Sequence, residues 1–166
     1  MAESEMEARI RRLEDIEAIK KLRAKFCYAM DTVNWEEVAS MFTEDAVAEM
    51  GAYGHCEGRE EIAKFAREIL PGSVSFVLHM LHNPVIEVDG DKATGEWYFE
   101  APLTYSPPID TPNTIGPLTH RAMWAAGKFE DEYVRVGGEW KFKKFVSKMY
   151  YETPYDEGWV RTRIYR

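Results

Sequence analysis

Apolar residues recur at three- and four-residue steps near the start of the chain: Ile10, Leu13, Ile16, Ile19, Leu22, Phe26 and Met30. That spacing predicts an amphipathic helix from about Glu3 to Met30 with one apolar stripe. Asn34 is a good N-cap for a short second helix carrying Trp35, Val38, Met41 and Phe42 on one side. Ala46 to Met50 reads as a short strand broken by Gly51 and Gly54. A third helix is expected over Glu60 to Leu70, with Ile62, Phe65, Ala66 and Ile69 inward and Pro71-Gly72 as its stop.

Beyond residue 73 the pattern turns strand-like. Val74 to Met80 is β-branched and aromatic, and a regular strand could continue to His82. Val85 to Val88 and Ala93 to Tyr105 flank Asp89-Gly90-Asp91, a hairpin signal. Arg121 to Val136 and Glu139 to Tyr151 flank Gly137-Gly138, a second one. Between the hairpins lies Ser106 to His120, with four prolines, a loop over a site or a connector. Helices first, then consecutive antiparallel strands, is an α+β order. One curved, mainly antiparallel sheet can wrap three helices into a cone whose open end holds a small molecule. With no repeat and no linker in view, residues 1–166 read as one domain.

Composition narrows the partners. The chain has 166 residues, 45% apolar and 30% charged, near the globular average. Twenty-nine acids against 21 Lys and Arg give −8, which argues against nucleic acid or an anionic membrane as partner. The start, MAESEMEARIRRLED, lacks the apolar core of a signal peptide, and no run approaches the ~20 apolar residues of a membrane span. A cytoplasmic protein is expected. Cys27 and Cys56 alone make neither a disulfide framework nor a four-thiolate zinc site.

Candidate chemistry centres on Asp31 and two histidines in FVLHMLHNP. On a regular strand His79 and His82 point to opposite faces, so only one faces the cavity. His79 shares its face with Ser75, Val77 and Leu81 and sits mid-strand, whereas His82 lies near the strand end. Asp31, His79 and His82 would hold a metal only if that strand geometry failed. No Gly-x-Ser-x-Gly elbow and no Gly-rich phosphate loop is present, and Cys27 lies within the apolar stripe of the first helix. Tyr28, Tyr98, Tyr150, Tyr151 and Tyr155 are possible donors, although most tyrosines in such company are packing groups.

IEAIKKLRAKFCYAMDTVNWEEVASMFTEDAV, then G-REEIAKF, FVLHMLHNPVIEVDGDKATGEWYFE and FEDEYVRVGGEWKF, resembles the SnoaL-like branch of the NTF2-like superfamily over roughly Ile16 to Tyr151. It looks most similar to that branch's lyases: bile-acid 7α-dehydratase, scytalone dehydratase and hexachlorocyclohexane dehydrochlorinase. The resemblance implies a cofactor-independent lyase, commonly homotrimeric rather than dimeric, acting on an apolar ring compound. In such enzymes an acid at the end of the first helix orients a basic histidine, and Asp31 and His79 occupy those positions. Phe26, Ala101 and Met149 stand where the bile-acid enzyme carries Tyr, an acid and Arg, which implies a more apolar, aromatic substrate. Tyr28, Tyr98 or Tyr151 would help a leaving group depart, within walls including Trp97, Phe99, Trp124 and Phe145. The expected loss is water, or formaldehyde by retro-aldol cleavage, as in the catabolism of aromatic compounds. The alternatives are a ring-compound isomerase and a non-catalytic binding module. The module would hold Asp31 and His79 more than about 4 Å apart or fill the cone with side chains.

Overall fold

Ser4 caps the first helix, α1 (Glu5–Asp31), through a reciprocal pair with Glu7. The computed structural model describes residues 4–68, 74–105 and 121–160. Asn34 caps α2 (Trp35–Ser40) by accepting the Glu37 N–H. Strand β1 (Phe42–Glu49) follows at once, so Phe42 opens the strand instead of closing the helix. A short 3-10 turn (Gly51–Tyr53), β2 (His55–Glu57) and α3 (Arg59–Glu68) complete the first half. Then come β3 (Val74–Val77), β4 (Met80–Asp89), β5 (Lys92–Tyr105), β6 (Arg121–Val136) and β7 (Glu139–Pro154). Ile69 to Gly72 and the proline-rich Ser106 to His120 lie outside the described residues.

The strands form one strongly curled, mixed sheet in the order β2-β1-β7-β6-β5-β3, with β4 also paired to β5. Both expected hairpins form, with Gly90, Gly137 and Gly138 at positive φ in their turns. The β1–β7 pairing is parallel, which no local turn signal announces. The expected strand over 74–82 is broken: β3 pairs with the end of β5 and β4 with its beginning, and Leu78-His79 lie between. Together they form one interrupted edge along β5.

Alternation along β5 buries Ala93, Gly95, Trp97, Phe99, Ala101, Leu103 and Tyr105 on the concave side. The apolar stripe of α1 meets that side only from its fourth turn. Ile19, Phe26, Cys27 and Ala29 are buried, but Ile10 and Leu13 are 49% and 64% exposed, because the first turns of α1 run past the core. Among the described residues no helix is long and apolar enough to cross a membrane.

One charge pair sits in the middle of this core. Arg23 is 0% exposed, with Nε 3.3 Å from Oδ2 of buried Asp131. Its guanidinium carbon lies 3.9 Å from the Phe129 ring centre and 5.0 to 5.6 Å from those of Phe26, Phe142 and Phe145. Tyr133 donates to Asp131 at 2.8 Å and accepts from Trp97 Nε1 at 3.3 Å. The rings supply a π face that partly replaces water around the cation. Removing one partner leaves an uncompensated buried charge, whereas removing both does not. Asp131→Leu is therefore expected to lower the unfolding free energy by about 3–5 kcal/mol in urea denaturation, and Arg23→Met added to it to restore most of the loss.

Candidate active site

The end of α1 places the acid. The Asn34 N–H donates to Ala29 O at 2.8 Å and the Val33 N–H to Met30 O at 3.2 Å, with Val33 at φ +63°. This is a Schellman ending with a β-branched residue in the left-handed position usually held by glycine. It leaves Asp31 in the last helical turn, against the negative end of the helix dipole, where a carboxylate is disfavoured.

His79 supplies the compensation. Asp31 Oδ1 lies 2.6 Å from His79 Nδ1, and Oδ2 accepts the backbone N–H of residue 79 at 3.0 Å. The carboxylate thus takes both the ring and the main-chain donor of one residue. The register along β5 is the same on both sides of Leu78-His79, and backbone alternation points the N–H of His79 away from β5, so Asp31 takes a donor that the sheet leaves free. The Leu78 N–H still reaches Pro102 O at 3.1 Å. An ionised carboxylate only accepts, so Nδ1 carries the proton, and in the neutral ring Nε2 is left with its lone pair. The two side chains are 19% and 10% exposed.

Both line a cavity of about 280 Å³ between the helices and the concave sheet. Its walls are mainly apolar: Phe26, Met30, Trp35 and Val38 from the helical side, Phe99, Ala101, Ala125, Phe129, Phe145 and Met149 from the sheet. Of the expected site residues, Asp31, His79, Phe26, Phe99, Ala101, Phe145 and Met149 therefore meet at one place.

Five do not. Tyr28 is 71% exposed on the outer side of α1, and Tyr98 is 48% exposed on the convex face of β5, beside Tyr150. Strand alternation puts Tyr98 opposite Trp97 and Phe99, so neither tyrosine serves the cavity as a donor. Trp97 is a core residue bonded to Tyr133. Trp124 stacks on Tyr155 and Tyr151 on Trp159, in an aromatic cluster near the C-terminal end that does not line the cavity. His82 is exposed, and His120 lies outside the described residues. Burial pushes the Cys27 thiol up to about 11, which keeps it protonated as a packing group.

Ser75 lines the cavity on the His79 side, as its shared face implies, and two polar residues without a sequence signal, Tyr53 and Ser147, line it too. The Tyr53 hydroxyl donates to Glu152 Oε2 and lies 3.0 Å from the Tyr105 hydroxyl. Burial raises the Glu152 carboxyl above its usual range, opposed by the Tyr53 hydrogen bond. Burial and the Glu152 charge push the Tyr53 phenol well up. Tyr53 stands in GAYG, which reads only as a turn. Its link to Glu152 spans 99 positions, with no local signal.

A few helices on a curled mixed sheet, enclosing an apolar hollow with an Asp–His pair in its wall, define an NTF2-like cone. The chain belongs to the SnoaL-like domain family, which it matches over residues 11–146. It is similar in structure to a type 2 hexachlorocyclohexane dehydrochlorinase (25% identity, TM-score 0.75, covering 87% of this chain and 91% of that one). It is likewise similar to a scytalone dehydratase-like protein of Novosphingobium aromaticivorans (23%, TM-score 0.72, 92% and 93%). An uncharacterized protein of Mycobacterium tuberculosis is 25% identical over 129 residues, 77% of this chain and 80% of that protein.

The hollow can be tested without knowing the natural ligand. Ala101→Phe puts a ring into open space, so it is expected to weaken 1-naphthol binding at least about tenfold while shifting stability by less than about 1.5 kcal/mol. Fluorescence titration and thermal melting check the two halves of that expectation.

Proposed function

We propose that the protein is a cofactor-independent lyase acting on an apolar, aromatic or polycyclic hydroxylated compound. The observation that carries this is the 2.6 Å Asp31–His79 contact in the wall of an open apolar cavity. With Nδ1–H given to Asp31, the lone pair on Nε2 takes a proton from the ligand. Asp31 fixes the tautomer and stabilises the imidazolium that forms. The electron pair released expels a small molecule, water from a β-hydroxyl or formaldehyde from a hydroxymethyl group. The largely apolar walls favour a ring compound and strengthen the electrostatics of the dyad by excluding water. The similarity to a dehydrochlorinase and a dehydratase-like protein supports the same class of elimination. A contact this short beside an unfilled cavity favours catalysis over the binding-module alternative.

A suitable probe is 3-hydroxy-1-tetralone, a benzo-fused β-hydroxy ketone that loses water to give fluorescent 1-naphthol. His79→Ala is expected to lower kcat/KM by about 10²–10⁴, with Asp31→Asn falling between it and wild type. Folded His79→Ala that turns over within about threefold of wild type would end the base assignment. Product of unchanged mass would instead favour the isomerase reading.

We further propose a homo-oligomer, a trimer in preference to a dimer. Met6, Ile10 and Leu13 stand exposed at i, i+4, i+7 on one side of α1, an apolar row that a second copy would cover. Light scattering is expected to give about three times the 19.2 kDa chain mass. A monomeric mass contradicts the assembly and leaves the dyad untouched.

A further inference from the structure

On the sheet, Ala101 of β5 pairs with Ala125 of β6, and Ala125 pairs with Glu152 of β7. Paired residues on neighbouring strands point to the same side, so Glu152 faces inward with the two alanines that line the cavity. Strands lie about 4.8 Å apart, so this row covers about 10 Å of sheet. His79 adjoins its far end, next to Leu78, whose N–H reaches Pro102 O on β5. Between Glu152 and the cavity stands Tyr53, brought by the turn after β1, its hydroxyl held by Glu152 and Tyr105. The base and this hydroxyl group thus lie on opposite flanks of the hollow, with only small side chains in the row between them.

We propose that Tyr53 is the proton donor to the departing oxygen and that Glu152 is its proton source, with Tyr105 fixing the hydroxyl. The inference rests on the lyase reading above. With Glu152 ionised, the Tyr53 hydrogen is spent on the carboxylate. With Glu152 protonated, the acid donates to the Tyr53 oxygen and the phenolic hydrogen is free to point into the cavity. Burial favours the protonated form. In the reaction, His79 Nε2 takes the proton from the carbon next to the carbonyl, and the C–H electron pair becomes the new C=C bond. The C–O bond breaks with its pair on oxygen, and that oxygen takes the Tyr53 proton to leave as water. Glu152 reprotonates Tyr53, and the proton on His79 returns to Glu152 through solvent. One proton is removed and one delivered, so the cycle needs no co-reactant.

The test uses full-length wild type, Tyr53→Phe and Glu152→Gln with 3-hydroxy-1-tetralone in D₂O, with His79→Ala as background. Tyr53→Phe keeps the ring but loses the acid. It is expected to release 1-naphthol about 100-fold more slowly while still placing deuterium at C2 of unreacted substrate above the background. Glu152→Gln keeps a hydrogen-bonding partner without a transferable proton. It is expected to slow naphthol release at least about tenfold with KM within about threefold and exchange retained. Naphthol release by Tyr53→Phe within about threefold of wild type overturns the proposal. Loss of exchange together with elimination, in a variant that melts like wild type, also overturns it and makes Tyr53 a binding residue. Wild-type Glu152→Gln rates remove Glu152 from the relay. Wild type that neither exchanges nor eliminates above His79→Ala fails the reading of His79 itself.

Discussion

The carboxylate of Asp31 holds two donors of one residue, the Nδ1–H and the main-chain N–H of His79. Each half of that clamp has a structural consequence. The ring bond sets which imidazole nitrogen faces the ligand. The main-chain bond ties the edge strand, between β3 and β4, to the end of α1. An acid in the last turn of a helix is disfavoured by the dipole, and charge-assisted hydrogen bonds from His79 offset that cost. The position of the acid, its hold on the edge strand and the orientation of the imidazole are therefore one feature.

Around that feature the core does two jobs. Phe26, Phe129 and Phe145 line the hollow and also cage the guanidinium of Arg23, which is paired with Asp131. Several walls of the site are thus packed against a buried charge, an arrangement that resists collapse of the rings into the empty space. Phe26, Ala101 and Met149 present apolar groups to the cavity. Among the described residues the polar groups in its lining are the dyad, two serines and Tyr53, a lining that supports the proposed apolar ring substrate.

Much of this was legible from spacing alone. Three helices, both hairpins and the α+β order follow from periodicity and from the Asp89-Gly90-Asp91 and Gly137-Gly138 turns. Asp31 and His79 stand out from the residues alone, resemblance supplies their pairing and the walls Phe26, Phe99, Ala101, Phe145 and Met149, and these residues meet at one cavity. What stayed hidden has physical causes. Val33 adopts the left-handed ending of α1 although valine gives no such signal. FVLHML is apolar apart from His79, so the capture of the His79 N–H by Asp31 leaves no mark on the pattern. The parallel β1–β7 pairing and the contact of Tyr53 with Glu152 are made between distant segments. Tyr28 and Tyr98 fail as donors for a reason the spacing itself carries, since Tyr98 alternates with Trp97 and Phe99 and Tyr28 lies off the apolar stripe of α1. Ile10 and Leu13 belong to the stripe yet lie exposed, because a stripe continues along a helix even where the sheet beneath it stops.

The most direct probe of the clamp is the tautomer of His79, read by long-range ¹H–¹⁵N correlation of the histidine rings, with His79→Gln giving the assignment. In the neutral ring the account predicts a proton on Nδ1 and a bare Nε2, reverting toward the ordinary mixture in Asp31→Ala. A His79 ring protonated on Nε2 in the wild-type protein, or one indifferent to the loss of Asp31, would contradict it.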